Sequence, residues 1–286
     1  MQSFLFLPSD RLERLDKAVA SGAFGVILDL EDGVAPTAKP DARNAFVTLA
    51  ENDYQGWRAR LWLRLNAVTA EKDFANDLDM LAACPTPPRG LFLSKVENPE
   101  EITKLRTTFP QNIPVIAIIE SARGMLVAAH IAASDRNLVA LGFGSADYAK
   151  DIGSDMGWDA LAYGRGCLLN AAACAGVGAL DGAFLQTKDQ DGLRQEALRV
   201  ATMGFAGKIA IHPTQVPTIN QAFAPNAQQI AWAQAVLAHA QNKGPGPFLH
   251  EGHMIDAPVL DRAQQMIDRA AQNGKNANQD RKGKES

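Results

Sequence analysis

Pro114-Val-Ile-Ala-Ile-Ile119 runs apolar until it stops on Glu120-Ser121, and one β/α unit later Leu138-Val-Ala-Leu-Gly142 runs on through Phe143-Gly-Ser-Ala to Asp147. Continuous apolar runs of this kind belong to strands covered on both faces, as in a parallel sheet. Each run also delivers a carboxylate at its C-terminal end. In a closed barrel of parallel strands those ends meet at one rim, where such enzymes keep their active sites. Two carboxylates with no histidine cluster beside them suit a hard divalent cation such as Mg2+, which takes oxygen ligands, commonly one or two carboxylates, and leaves the rest to water and substrate. Taken alone, Glu120 and Asp147 fit equally well as solvated loop acids. Their surroundings decide between the two readings.

Outward from this pair, short apolar runs alternate with segments of helical period: Phe4–Leu7, Gly25–Leu30, Leu61–Leu65, Leu91–Ser94, Val115–Ile119, Val139–Gly142, Ala179–Asp181 and Lys208–Ile211. Eight strands with seven intervening helices predict an α/β fold, a (β/α)8 TIM barrel over residues 1–225. An open doubly wound sheet is the alternative, and it requires a strand-order reversal that a sequence does not display. After the eighth strand the pattern changes. Ala227–Ala240 reads as a helix with Asn226 as its N-cap. Gly244-Pro-Gly-Pro247 breaks it, and a second helix, from about Pro258 to Ala271, follows a turn-like Gly252-His-Met-Ile-Asp256. Residues 226–272 are expected to form a C-terminal helical arm at a subunit interface. Residues 273–286, with Ala277 as their only apolar side chain, are expected to be a disordered tail.

Composition narrows the class. An apolar fraction of 47% and a charged fraction of 21% are ordinary for a globular enzyme. A net charge of −4, with no basic face interleaved with aromatics, leaves no footprint for nucleic acid. Cys84, Cys167 and Cys174 are odd in number and lack CxxC spacing, which indicates neither a disulfide framework nor a zinc site and fits a reducing, cytoplasmic setting. Phe4-Leu-Phe-Leu7 is cut short by Pro8 and has no basic segment before it, so it reads as a first strand rather than a signal sequence. No apolar run approaches the roughly 20 residues of a membrane helix.

Further groups stand at strand ends. In Leu61-Trp-Leu-Arg-Leu-Asn66, alternation puts Trp62, Arg64 and Asn66 on one side. Arg64 near the rim either meets an anion, since its planar fork matches a carboxylate in bidentate fashion, or pairs with a neighbouring acid. Asp29 and Glu31 share a face and either orient Arg64 or metal-bound water, or cap the next helix. Lys95 reads as a charged, paired lysine in preference to a Schiff-base nucleophile. Gly142-Phe-Gly-Ser-Ala-Asp147 lacks the third glycine of a dinucleotide fingerprint, and its two glycines read as letting backbone amides approach a substrate carboxylate. His212, beside Pro213, reads as a locally satisfied histidine.

Taken in order, Ser3-Phe-Leu-Phe-Leu-Pro8, Gly25-Val-Ile-Leu-Asp-Leu-Glu-Asp32 with Ala35-Pro36 and Lys39, Leu63-Arg-Leu-Asn66, Ile118-Ile-Glu-Ser-Ala122, Gly142-Phe-Gly-Ser-Ala-Asp147, Lys208-Ile-Ala-Ile-His-Pro213 and Gly252-His-Met-Ile-Asp256 closely resemble the citrate lyase β-subunit-like branch of the HpcH/HpaI aldolase superfamily. The match covers roughly residues 3–270. It departs from the family at Gln2-Ser3, where Arg-Ser is usual, and at Pro8-Ser9, where Pro-Gly is usual. The resemblance implies a Mg2+-dependent barrel assembled as a trimer or hexamer. By the same resemblance Glu120 and Asp147 match the metal ligands, Arg64 with Glu120 the substrate-binding pair, and Asp256 an aspartate that reaches a neighbouring subunit's site. The implied activity is carbon–carbon lysis or formation of a 3-hydroxyacyl-CoA such as citryl-CoA or malyl-CoA, giving a 2-keto acid (oxaloacetate or glyoxylate) and acetyl-CoA. A malyl-CoA-type thioesterase, a carrier-protein-dependent citrate lyase β subunit and a catalytically silent barrel are the alternatives.

Overall fold

The computed structural model describes residues 1–52, 56–243 and 246–282. Eight parallel strands close a barrel in chain order: β1 (Ser3–Pro8), β2 (Gly25–Asp29), β3 (Leu61–Leu65), β4 (Gly90–Leu93), β5 (Val115–Ile119), β6 (Leu138–Phe143), β7 (Gly178–Asp181) and β8 (Gly207–Ala210), with β8 bonded back to β1. The helices between and after them are α1 (Leu15–Ala20), α2 (Lys39–Glu51), α3 (Glu71–Ala83), α4 (Pro99–Thr108), α5 (Ala122–Ala133), α6 (Ser145–Asp151), α7 (Trp158–Ala175), α8 (Gln190–Met203) and α9 (Gln215–Phe223). Contacts divide the chain into two compact units, Met1–Asn220 and Gln221–Ser286.

The barrel closes because every strand presents one apolar side inward. Phe4, Ile27, Trp62, Phe92, Ile116, Ile118, Ala140, Leu180 and Ile209 form one buried cluster. Phe4, Trp62 and Phe92 meet edge to face with ring centroids 5.3–5.7 Å apart, a favourable arrangement of ring quadrupoles. Gly90 makes room for the indole, since a Cβ there would lie 2.3 Å from the Trp62 ring. Because side chains alternate with period two, the residues two steps beyond this plug also point inward, at the C-terminal rim. Asp29 follows Ile27, Arg64 follows Trp62 and Glu120 follows Ile118.

A second buried cluster is ionic. Lys208 of β8 is fully buried and donates to Asp181 at the end of β7, to the Gly182 carbonyl (2.7 Å) and to Glu196 of α8 (2.7 Å), while Arg165 Nε of α7 donates to Asp181 (2.8 Å). Burial alone would raise the Asp181 pKa, but Lys208 and Arg165 hold it below the usual carboxylate range. Buried charges are tolerated when paired in this way.

The C-terminal unit holds α10 (Ala227–Lys243), a hairpin of β9 (Phe248–His250) and β10 (His253–Ile255), and α11 (Ala257–Lys282). Asn226 caps α10 as expected. Its Oδ1 accepts from the Gln229 N–H (2.8 Å), and Gln229 Oε1 accepts from the Asn226 N–H (2.9 Å), a reciprocal capping box. Ala233, Val236, Ile255 and Ala263 form the centre of this unit's apolar core.

One expectation is corrected here. Most of the turn-like Gly252–Asp256 stretch is strand, because the reversal is made by Glu251-Gly252 alone, at φ 49° and 79°. Two successive left-handed residues make the tight turn whose twist matches paired strands. The second helix, α11, runs on past Ala271 to Lys282. Residues 283–286 lie outside the described residues, as do Gly244 and Pro245 of the expected helix break. Among the described residues no helix is long and apolar enough to cross a membrane.

Candidate active site

The register of the barrel places Arg64 directly beside Asp29. Arg64 Nε and Nη2 donate to the two oxygens of Asp29, each at 2.6 Å, the side-on fork of a guanidinium on a carboxylate. Asp29 is itself fixed by its own loop, accepting from the Glu31 and Gly33 N–H groups at 2.9 Å. The Arg64 guanidinium also lies over the Phe6 ring, 4.5 Å from its centroid. Its Nη1 sits 3.0 Å from Glu31 Oε2. That is a charge contact without hydrogen-bond alignment, since this buried oxygen has no hydrogen-bond partner among the described residues. Of the two readings of Arg64, pairing with a neighbouring acid is therefore present, and the arginine still keeps Nη donors unused by Asp29.

Across the rim, Lys95 Nζ donates to Glu31 and to Asp32 Oδ2 (3.0 Å). Burial would lower the lysine pKa, but these two acids hold it above the ordinary range, which suits a paired cation and disfavours a nucleophilic amine. The Lys95 main-chain N–H donates to Glu120 Oε1 at 2.7 Å. Glu120 is buried. Burial pushes its carboxyl up to about 8, Glu31 and Asp147 push the same way, and Arg64 and the Lys95 N–H oppose them.

Asp147 stands half-buried in the first turn of α6, immediately beyond β6, close enough to act on Glu120. The reading of the two glycines before it needs correcting. Gly142 is a ladder residue of β6, the Gly144 N–H donates to Ile119 O (3.0 Å), and a Cβ at Gly144 would lie 2.5 Å from Glu120 Oε2. Gly144 thus clears space beside the Glu120 carboxyl.

The donor set fits a hard cation. Glu120 Oε1 is engaged by an N–H, Oε2 has no hydrogen bond among the described residues, and a carboxyl forced toward neutrality by burial and neighbouring acids is stabilised as an anion by a cation at its side. No group of three or more metal-capable His, Cys, Asp or Glu occurs among the described residues, and a pair of carboxylates with water is the habit of Mg2+.

The remaining expected residues lie elsewhere. Asn66 lies past the end of β3 and bonds Asp77 of α3 (2.8 Å), the Leu30 carbonyl (3.0 Å) and Lys39, anchoring the segment after β2 that carries Glu31. His212 is exposed, its Nδ1 2.7 Å from Thr214 Oγ1, so it is locally satisfied as expected. Ser9, one of the departures from the family pattern, donates its N–H to Asp29 O (3.0 Å), and its buried hydroxyl has no partner among the described residues. Asp256 belongs to the C-terminal unit, between β10 and α11, where its carbonyl accepts from Val259 and Leu260 while its half-buried carboxylate makes no hydrogen bond among the described residues. Sequence reasoning missed the Lys95 backbone contact, for which no residue type gave a signal.

Comparison with known proteins identifies the family. The family model described as HpcH/HpaI aldolase/citrate lyase matches residues 2–213, and one described as a C–C bond lyase of the TIM-barrel fold matches residues 157–274. The citrate lyase subunit beta-like protein of Mycobacterium tuberculosis is 38% identical over 276 residues, covering 94% of this chain and 95% of the relative. A (3S)-malyl-CoA thioesterase of Cereibacter sphaeroides is 33% identical, covering 94% of each chain. The mitochondrial citramalyl-CoA lyase of Rattus norvegicus is 29% identical, covering 93% of this chain and 85% of the relative. Among solved structures, CitE from Mycobacterium tuberculosis in complex with magnesium, acetoacetate and coenzyme A superposes with a TM-score of 0.81 at 37% identity, covering 94% of this chain and 98% of that one. With a family model spanning the barrel and relatives aligned along nearly its whole length, the chain is an enzyme of the HpcH/HpaI aldolase/citrate lyase family.

Proposed function

We propose that this enzyme is a Mg2+-dependent carbon–carbon lyase that cleaves or forms a 3-hydroxyacyl-CoA, exchanging it for a 2-keto acid and acetyl-CoA. The observation that carries the reading is Glu120, a buried carboxyl pushed up to about 8 beside Asp147, on the same rim as Arg64. The relative solved with magnesium, acetoacetate and coenzyme A supports it. Glu120 and Asp147 would hold the metal, which when bound supplies Lewis-acid polarisation of the keto group. Arg64, already fixed by Asp29 and Phe6, offers its remaining Nη donors to the keto-acid carboxylate and so holds the acceptor in one orientation. Asp256 takes the α-proton of the acetyl thioester in the direction of synthesis and returns it in cleavage.

The residue 226–272 arm is proposed to pack on a neighbouring subunit of a trimer or hexamer, so that Asp256 serves that neighbour. Leu249 and Met254 favour this, because they face each other across the hairpin and are 72% and 66% exposed, leaving an apolar face just before Asp256 without cover among the described residues. The free cysteines favour a cytoplasmic setting.

An assay of the purified protein with Mg2+ against a panel of 3-hydroxyacyl-CoA substrates tests the reaction. Keto acid and acetyl-CoA appearing together are expected, and release of free CoA without keto acid would replace the lyase by the thioesterase. The thioesterase is kept as the second reading because of the 33% identity to (3S)-malyl-CoA thioesterase. Mixing Asp256→Asn with Arg64→Ala protein tests the shared site. Partial recovery of activity is expected, and no recovery despite proven subunit exchange would sink a base supplied in trans.

A further inference from the structure

Lys95 holds φ at 53°, one of two non-glycine residues with positive φ among the described residues. A Cβ makes the left-handed region unfavourable, and a lysine has no side-chain means of compensating as Asn or Asp does. The conformation is imposed from both sides. Ser94 Oγ donates to Leu65 O (2.9 Å), and the Val96 N–H donates to Ile118 O (3.1 Å). The Val96 carbonyl is packed against Gly124 of α5, where a Cβ would come within 2.6 Å of it. Between these fixed points the Lys95 N–H reaches Glu120 Oε1 at 2.7 Å, while its ammonium is engaged separately, by Glu31 and Asp32.

We propose that Lys95 is a positioning residue for the metal site, acting through its backbone: the left-handed turn directs its N–H onto Oε1 of Glu120 and leaves Oε2 for the cation. The role rests on the proposed Mg2+ site. Strain in a sparsely populated backbone region persists where the surrounding structure over-determines it, and such residues gather at functional sites. The ammonium, in turn, balances Glu31 so that Arg64 is not the only cation among the rim acids.

Because the backbone and the ammonium are separable, the test uses variants that all lack the charge. Lys95→Gly and Lys95→Asn accept a left-handed backbone, Lys95→Ala accepts it less readily, and a β-branched Lys95→Val resists it most. Binding of Mg2+ alone to the full chain is measured by calorimetry, with a thermal melt of each variant alongside. The Gly and Asn variants are expected to agree within about threefold in dissociation constant, and Val to bind at least tenfold more weakly, with Ala between. Should Val not fold, the Gly-to-Ala difference carries the same contrast. Equal affinity across the series, or an equal loss in every variant, would overturn the backbone role while leaving the metal assignment standing. A wild-type chain that binds no Mg2+ overturns both.

Discussion

Lys95 at the barrel rim and Glu251 in the hairpin of the C-terminal unit share a left-handed backbone, yet the two are held in opposite ways. At Lys95 the constraint is tertiary: two strand neighbours, a helix glycine and a buried carboxylate fix one residue, and its N–H is spent on Glu120. At Glu251 it is local: a two-residue reversal between His250 and His253 demands positive φ at both positions, and Gly252 supplies the other. The rim is a built site whose parts lean on one another. The hairpin is an exposed element whose outer face, Leu249 and Met254, has no cover among the described residues of its own unit's core. The difference says that the rim residues can be judged from one chain, whereas Asp256, directly after the hairpin, takes its proposed role only from what covers it.

The largest expected effect breaks the rim at its centre. Glu120→Gln keeps the shape and the bond from the Lys95 N–H but removes the anion, so Mg2+-dependent turnover should vanish while the fold remains. Circular dichroism and a thermal melt check the fold, and a variant keeping about a tenth of the wild-type rate would break the assignment. Next comes Arg64→Lys. A lysine cannot make the side-on fork to Asp29 and present further donors together. Keto-acid affinity should fall by about 1.5–3 kcal/mol, the scale of hydrogen bonds to charged groups. An unchanged dissociation constant would show that Arg64 serves Asp29 alone.

A third test uses pH. With its folded pKa raised to about 8 from the ordinary carboxylate value, Glu120 favours the protonated, metal-free fold below that pH. Its contribution to metal-free stability is therefore present at acid pH and lost as pH rises through about 8. A cation needs the ionised form, so Mg2+ binding should release a proton and strengthen by up to about tenfold per pH unit until roughly pH 8, then level off. Calorimetry in two buffers of different ionisation enthalpy reads the proton directly. Affinity that is flat between pH 6 and 8 would place the cation elsewhere.

Much of the rim was legible in the sequence because strand alternation carries it. Glu120 and Arg64 each sit two residues past a core position, Ile118 and Trp62, and so continue an inward face. That Asp29 forks onto Arg64 depends on the register between β2 and β3, which appears only once the barrel closes. Asn66 broke the alternation because it lies beyond the strand end and turns to Asp77. Lys95 gave no sign of its backbone, since left-handed positions announce themselves only when Gly or Asn occupies them. The same blindness hid the hairpin: its strands are three residues each and Glu-Gly replaces the usual Asn-Gly.

The smallest effect sharpens the hairpin side of the comparison. Among the described residues Glu251 has no tertiary constraint like that on Lys95, so its left-handed cost should be recoverable locally. Asn tolerates this region and is favoured at the first position of such a turn. Glu251→Asn should therefore stabilise the C-terminal unit by a few tenths of a kcal/mol up to about 1, the range of turn substitutions that fit the native backbone. Gly252→Ala, forcing a Cβ at φ 79°, should destabilise it by about 1–2 kcal/mol. Amide hydrogen exchange of 248–255 reads both changes without requiring the unit to melt separately, and the rim amides near Lys95 should keep their protection in both variants. If Glu251→Asn loosened the hairpin, or if it slowed exchange at the rim as well, Glu251 would be held by contacts beyond its own turn. The contrast drawn with Lys95 would then fail.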